Sequence, residues 1–385
     1  MAAPFQNYQN QGGSATLLAN PYGATRITDL ITVPAFRNYV AEAIYERSAL
    51  VRSGAVVRNA ALDARAGGVK VEVPTWRPID PQEVRIDDSN NWGGGGGQAA
   101  QGFLVPQRLT AGKQIAPILH RGFAYSASTL SQLSSGEDPL GFMRTQLADA
   151  INKLKEKTLF TQLAGLFGAT GGTAPLLPNS TDVAGDVAPG AMTGANYLSV
   201  ASAIAAKAKL GERASRLNII AMPSAVYFYL QQTGMLTFSS DSLSSGQGIK
   251  WGGGGVGVTN DQVAWFAGMQ VIVTDNLVGE NFDSTPTAGN ALKYPVYMFA
   301  SGAVMEGVQQ ELTIEADRNI LSLQDVVSVH QHYGYHIAGT SYTGVDNPDD
   351  TALKTSSNWG LVYTKPQMVD AVRLFVNTPF GGVSP

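Results

Sequence analysis

Three histidines late in the chain have the spacing of a possible metal site. His330, His332 and His336 would lie on one face of a β-strand, because side chains alternate between the two faces of a strand. Imidazoles arranged in this way could hold zinc or nickel. No carboxylate lies at ligand spacing beside them. The sequence therefore favours a polar strip on a strand at a subunit contact, and we predict no metal site.

Two glycine-rich segments resemble nucleotide-binding loops. Gly252, Gly254 and Gly257 match the GxGxxG fingerprint formally, but Lys250 and Trp251 precede them where a strand is required. A run of glycines also produces this spacing by chance. The other segment, residues 92–97, lacks the Lys-Ser/Thr pair of a phosphate loop. We expect flexible loops at both places and predict no cofactor.

Catalytic and calcium-binding patterns are also missing from the sequence. The acidic turn 346–350 has Pro348 at its third position and lacks the central glycine of a Ca²⁺ loop, so we predict a solvated turn. There is no nucleophile elbow, HExxH motif or carboxylate pair. With four histidines and no cysteine, the chain is poorly supplied for catalysis, and we predict no catalytic residue and no enzyme activity.

Composition limits the class of protein without deciding it. The 385 residues can bury a full core and form more than one structural unit. Charged residues are 15%, against about 25% in an ordinary soluble protein, which fits equally a subunit that buries much of its surface among copies and a weakly charged ordinary domain. The net charge of −4 and the lack of a polybasic arm argue against tight phosphate binding, yet suit a container for double-stranded DNA. Neither a signal peptide nor a membrane span is evident, so we expect a soluble protein, cytoplasmic when made.

The first third of the chain predicts an arm, a short helix and a long loop. Residues 1–26 lack periodicity and should form an extended arm, while 27–51 show helical spacing. A strand at 69–73 and a returning segment at 111–119 enclose a stretch too rich in Gly and Pro to form a core. We predict a two-stranded excursion that reaches another subunit. The residues proposed for this contact are Trp76, Arg77, Arg85, Trp92, Phe103, Leu104 and Arg108.

A long amphipathic helix should follow at 138–168. Asp138 is a favourable N-cap and Pro139 suits the first helical position. One face is apolar and should lie across a sheet. We expect Leu147, Ile151 and Leu154 in the core of this spine helix, and we expect Lys153 and Glu156 to face away from it.

The stretch 197–318 has the most informative order of elements. An alanine-rich helix ends at Leu210-Gly211, and a charged turn leads into a strand at 218–222, with a second helix behind Pro223. Two further strand-like segments, GMQVIVTDNL and YPVYMFASGAV, precede ELTIEADRNI. Strands are then predicted at 321–337, 360–363 and 372–376. Long helix, hairpin and non-sequential strands together indicate an α+β fold.

This order resembles that of the major capsid proteins of tailed bacteriophages, which have the HK97-type fold. The matching features are the LGE turn, the strand–Pro–helix after it, and the segment Glu315-Ala-Asp317-Arg318 before a long strand. Two family features are absent or unclear. Only about 25 residues precede the first helix where some members carry a scaffolding segment, and no lysine lies between Trp76 and Gly112 to form an isopeptide cross-link.

The resemblance implies a domain organisation and a set of partners. The expected parts are an N-terminal arm and first helix (1–67), an extended loop (68–118), a peripheral domain with the spine helix (119–190), an axial domain (191–317) and a return to the peripheral domain (318–385). Copies would form hexamers and pentamers of an icosahedral shell around double-stranded DNA. Portal, scaffolding and cement proteins would be its other partners, with assembly in the host cytoplasm and no membrane contact.

Two alternatives remain open from the sequence alone. An encapsulin-type nanocompartment subunit shares the fold, although the Gly-rich loop and long arm favour the virus, and electron microscopy would separate the two by size and cargo. An enzyme or carbohydrate-binding domain of unrelated fold would instead remain a monomer at high concentration.

Overall fold

The structure is a computed structural model that describes residues 54–63, 68–77, 109–129, 133, 139–168, 173–185, 187–239, 249–250, 263–277, 291–319 and 322–380. The predicted arm, first helix, loop tip and Gly252–Gly257 lie outside these residues. The helices are α1 (Pro139–Phe167), α2 (Val200–Lys207), α3 (Ser224–Gln232) and α4 (Asp350–Lys354). The strands are β1 (Val56–Arg58), β2 (Lys70–Trp76), β3 (Ala111–Pro117), β4 (Leu119–Ser128), β5 (Ser180–Asp182), β6 (Leu217–Met222), β7 (Thr237–Ser239), β8 (Ile249–Lys250), β9 (Val263–Phe266), β10 (Met269–Val273), β11 (Tyr294–Ala300), β12 (Val304–Asn319), β13 (Gln324–Ile337), β14 (Thr340–Tyr342), β15 (Trp359–Leu361) and β16 (Ala371–Val376).

The chain divides into two compact units. The smaller contains 121–147 and 312–330 among the described segments, and the larger contains 44–120, 148–311 and 331–385. The division falls within α1, β4, β12 and β13. The sequence-based domain boundaries stay predictions.

An eight-stranded mixed sheet forms the centre of the larger unit. Its order is β5-β16-β11-β6-β10-β9-β7-β8. β11 runs antiparallel to both β16 and β6, whereas β10 is parallel to β6. All seven residues of β11 are buried, because both faces of the sheet are covered. The predicted strand at 218–222 is confirmed as a central strand of this sheet.

Two apolar clusters cover the two faces of this sheet. Tyr297 and Phe299 of β11 join a cluster with Phe160, Leu163 and Phe167 of α1. Their neighbours Val296 and Met298 point the other way, into a cluster with residues of α2 and α3. Alternation along β11 therefore places the spine helix on one face and the two short helices on the other.

The spine helix is confirmed in extent, but its buried side differs from the prediction. Ile151 is 5% exposed, whereas Leu154 is 47% exposed and is not part of the core. Glu156, predicted to face away, is fully buried, and Asn276 Nδ2 donates to its Oε2 at 3.0 Å. Residues 154 and 156 differ by roughly 200° around a helix, so they must lie on opposite sides. The side chain of Leu147 lies outside the described residues.

The reason for this correction is the enclosure of the last three turns of α1. Every residue from Thr158 to Gly168 is buried, so no polar face remains there. The sequence prediction assumed one apolar stripe along the whole helix, so it did not distinguish these enclosed turns from the earlier ones. A buried amide at Asn276 then supplies the hydrogen bond that lets Glu156 occupy an interior position.

Candidate assembly surfaces

The extended loop begins and ends in a two-stranded antiparallel hairpin, which we call the base hairpin (residues 70–76 and 111–117). Its register runs from Lys70 opposite Pro117 to Trp76 opposite Ala111, and Lys113 Nζ pairs with Glu72 Oε1 at 2.9 Å. The predicted pairing of the two segments is confirmed, and the reach of the loop to another subunit stays a prediction. The intervening residues 78–108 lie outside the described part of the chain.

Large apolar side chains are exposed at the end of this hairpin that leads into the loop. Trp76 is 70% exposed at the end of β2, Leu109 is exposed just before β3, and Arg77 is exposed beside Trp76. A tryptophan presented to solvent suits a contact with another molecule, because it buries a large area with few rotatable bonds. The other residues predicted for this contact lie outside the described segments: Arg85, Trp92, Phe103, Leu104 and Arg108.

A second exposed apolar surface lies on α2 and was missed from the sequence. We call it the α2 patch; its members are Val200, Ala201, Ile204 and Ala205 of α2 and Ala208 directly after it, all exposed. Ile204 is 57% exposed, whereas Ala203 and Ala206 on the other side are fully buried. The available signal was the absence of any charged residue from Val200 to Ala206, which leaves the helix without a polar face.

The smaller unit also carries exposed apolar side chains. Tyr125 lies on β4, Leu312 and Ile314 on β12, and Leu323 before β13, and all four are exposed. Leu312 and Ile314 are two residues apart on one strand, so they share a face of the sheet. Leu312 and Ile314 therefore present two exposed apolar side chains on one face of β12.

The charged turn after α2 has a structural role. Gly211 adopts φ 59°, ψ −128°, a conformation that glycine accepts readily. Arg213 forms a bidentate pair with Asp370, with its Nη2 2.9 Å from both carboxylate oxygens, and Arg216 Nη1 lies 3.0 Å from Asp370 Oδ2. Both arginines are thus committed to the residue that precedes β16, and the turn is fixed to the central sheet.

The three histidines do not converge on one point. The ring of His332 stacks on His120 with centroids 4.1 Å apart, an arrangement that does not direct their nitrogens towards a shared ion. His336 is buried, its Nε2 2.7 Å from Gln114 Oε1, so the predicted subunit contact is wrong for this residue. Across the described ranges, no group of three His, Asp or Glu is placed to hold a metal ion.

The acidic turn is tied down by separate partners. Asp346 pairs with Lys70 at 2.8 Å, and Asp349 caps α4 by accepting from Ala352 N at 2.7 Å. Asn347 Oδ1 accepts from His120 N at 2.9 Å. These oxygens therefore serve backbone, capping and loop contacts, and the turn links the base hairpin to the C-terminal part of the larger unit.

Comparison with known proteins identifies the family. A family model described as "Major capsid protein 13-like" matches residues 106–370, more than two thirds of the chain. The chain belongs to this family. It is a phage major capsid protein, and we refer to it below as the capsid protein.

Individual relatives agree with this assignment. The capsid protein is 27% identical over 349 residues to the major capsid protein of Bacillus phage SPP1, covering 88% of this chain and 94% of that one. These phage matches favour the virus over an encapsulin. In the described part of the chain, no helix is both long and apolar enough to cross a membrane.

Solved capsid structures share the fold. The capsid of Ralstonia phage GP4 aligns with a TM-score of 0.52 at 10% identity, covering 90% of this chain and 96% of that one. The capsid structure of the cyanophage P-SCSP1u aligns with a TM-score of 0.50 at 14% identity, covering 96% and 99%. The predicted α+β capsid fold of the HK97 type is confirmed.

Proposed function

We propose that copies of this capsid protein assemble into hexamers and pentamers of an icosahedral shell that encloses double-stranded DNA. The observation that supports this most directly is the exposed apolar surface of a single copy, above all Trp76 on the base hairpin. A tryptophan left 70% exposed on a weakly charged chain is stabilised when a second copy covers it.

The loop and the arm act in trans in this proposal. The loop between Trp76 and Ala111 contains too much Gly and Pro to form its own core, so its ordering entropy must be offset by contact with a neighbouring copy. The α2 patch and the exposed residues of the smaller unit supply further contact area. Because no lysine lies between Trp76 and Gly112, many non-covalent contacts or a separate cement protein hold the shell together.

The shell encloses DNA without binding it tightly. A net charge of −4 disfavours tight binding to phosphates, which lets packed duplex slide against the wall. Portal and scaffolding proteins complete the set of partners, and assembly takes place in the host cytoplasm before the protein becomes part of the virion.

The capsid protein works by geometry and burial and has no catalytic turnover. Charged groups of the larger unit, such as Arg213, Arg216 and Asp370, are committed to structural pairs. We expect substitution of any Asp, Glu, His or Lys to affect function only through folding or assembly. A variant that forms normal particles but loses an enzymatic activity of the wild type would contradict this.

Deletion of residues 86–102 tests the role of the loop. The variant should be soluble and folded, because the base hairpin is retained, but should assemble poorly or into fragile particles in electron micrographs. Denatured wild-type particles should migrate as single monomers on a gel. Sturdy shells from the deletion variant, or a ladder of covalent oligomers from the wild type, would overturn the proposal.

A further inference from the structure

The base hairpin needs anchors because it stands apart from the larger sheets. β2 and β3 form a separate two-stranded sheet, and such a ribbon is marginally stable alone. Its direction relative to the body of the larger unit must therefore be set by its contacts with that body. Lys70 supplies one anchor through Gly344 O at 2.7 Å and Asp346, but both ion-pair partners are partly exposed to solvent.

Gln114 supplies a buried polar anchor. This residue of β3 is 4% exposed, and its carboxamide contacts three separate segments. Nε2 donates to Thr75 Oγ1 on β2 at 2.7 Å. Oε1 accepts from Gly339 N, in the turn after β13, at 2.9 Å, and lies 2.7 Å from Nε2 of His336 on β13. One side chain thus joins both strands of the hairpin to the body.

The hydrogen-bond network fixes the orientation of each group in it. Gly339 N–H can only donate, so the carboxamide atom facing it must be the oxygen. That oxygen can then only accept from His336, which requires the proton of the neutral imidazole to be on Nε2. Burial lowers the pKa of His336 to about 4, so this neutral form persists at neutral pH.

Close backbone contacts leave this network little room to rearrange. A Cβ at Gly334 would collide with Pro117 O at the end of β3, so only a glycine at this position lets β13 and the hairpin lie so close together. Gly339 has φ +91° and lies directly beneath the ring of Tyr363. The backbone N–H of Gly339 is therefore held in place, so the Gln114 side chain must be positioned to accept its hydrogen bond.

We propose that Gln114 is a positioning residue that sets the direction in which the extended loop leaves the subunit, and so brings Trp76 to its contact on a neighbouring copy. This rests on the proposed function of the loop in trans. The carboxamide is suited to the role because it satisfies two donors of the body and one acceptor of the hairpin at once, and because it carries no charge to bury.

The test is hydrogen–deuterium exchange of the full-length unassembled subunit, compared between wild type and Gln114→Leu. Leucine leaves the donors of His336 and Gly339 without this acceptor. Exchange of amides in 70–76 and 111–117 should rise roughly ten-fold or more, while β11 and β16 stay protected. Gln114→Asn, which keeps the amide but is one methylene shorter, gives the same readout if the leucine variant does not fold.

The matched control is Thr161→Val. It removes a buried hydroxyl whose only described hydrogen bond is to Lys157 O of its own helix, and it should leave exchange in the hairpin unchanged.

Assembly of the same variants completes the test. Both Gln114 variants should yield fewer particles than the Thr161→Val control. Unchanged hairpin exchange, an equal rise throughout the subunit, or a loosened hairpin with normal particle yield would each overturn the positioning role. Failure of the underlying proposal gives a different result, since the 86–102 deletion would then assemble normally whatever the exchange data show.

Discussion

The guanidinium of Arg373 is buried in the larger unit of the capsid protein, where it connects separate elements. Its Nε donates to Ser180 Oγ at 3.0 Å and its Nη2 to Phe167 O at 3.3 Å. The same group lies 4.5 Å from the ring centroid of Phe375 and 5.2 Å from that of Phe167. It joins the end of the spine helix to β5 and β16, and also moderates the increase in the pKa of Tyr297, which burial raises to about 12. Sequence reasoning could not assign this role, because the hydrogen-bond partners Ser180 and Phe167 are 193 and 206 residues away in the chain.

Gly165 permits the spine helix to pass close to α4, and its replacement should be costly. A Cβ at this position would collide with Leu353 O and lie 2.7 Å from Trp359 Nε1, which itself donates to Leu353 O at 2.8 Å. We expect Gly165→Ala to lower the free energy of unfolding by about 1–3 kcal/mol, measured by denaturant titration of the subunit. Gly194→Ala is the control, since nothing lies within 4 Å of its Cβ, and it should change little. Equal effects of the two substitutions would refute the packing argument.

His336 should make the stability of the subunit depend on pH. An unfolded histidine takes up a proton near pH 6.5, whereas burial lowers the folded pKa to about 4. The contribution of neutral, buried His336 to the unfolding free energy is therefore complete above about pH 6.5 and is lost as the pH falls towards 4. The whole loss is on the order of 3 kcal/mol. His336→Gln keeps a donor for Gln114 and removes the titration, so the difference in unfolding free energy between pH 7 and pH 4.5 should shrink. An unchanged difference would contradict the neutral buried state.

At the scale of elements, helix and strand positions were largely predictable, whereas helix orientation was not. Start and stop residues placed α1 correctly from Pro139 to Phe167, and short strand-like apolar segments located β6, β10 and β16. The side of α1 that faces the sheet was wrong at Leu154 and Glu156, because the partner of Glu156 is Asn276, 120 residues away. The exposed side of α2 was also missed, since its segment from Val200 to Ala206 has no charged residue to mark a polar face.

Substitutions on α1 distinguish the two assignments of its buried face. Ile151→Ala should lower the unfolding free energy of the subunit by about 2–5 kcal/mol, and Glu156→Ala by about 1–3 kcal/mol, because the latter leaves Asn276 without its buried acceptor. Leu154→Ala should cost under about 1 kcal/mol in the isolated subunit. Chemical denaturation measures all three. A Leu154→Ala variant that is less stable than Glu156→Ala would return Leu154 to the core.

The α2 patch should matter for assembly and little for folding. Ile204→Glu places a charge on an exposed position, so the unfolding free energy should change by roughly 0.5 kcal/mol or less. Particle yield should fall sharply, because a carboxylate would be buried against a neighbouring copy. Lys209→Glu changes the charge at an exposed position nearby, outside the patch, and is the control. Normal yield from Ile204→Glu would show that no copy covers this surface.

At the scale of the whole molecule, the order of elements carried more information than any single motif. Arm, loop, spine helix, central sheet and returning strands identified a capsid fold, although the solved structures that share it are 14% identical or less in the two alignments above. Composition did not decide between the classes, because 15% charged residues fit both a surface covered by copies and a weakly charged ordinary domain. Contacts between copies could not be derived from the sequence. The pattern of one chain indicates its own core but does not identify which exposed surface a second copy covers.

The most direct test of the central claim is a cryo-EM reconstruction of particles formed by the full-length chain. We expect hexamers and pentamers in a closed icosahedral shell, with Trp76 buried against a neighbouring copy and no covalent density between loops. A closed shell in which Trp76 remains in solvent, or a protein that stays monomeric at high concentration with and without a scaffold, would contradict the account.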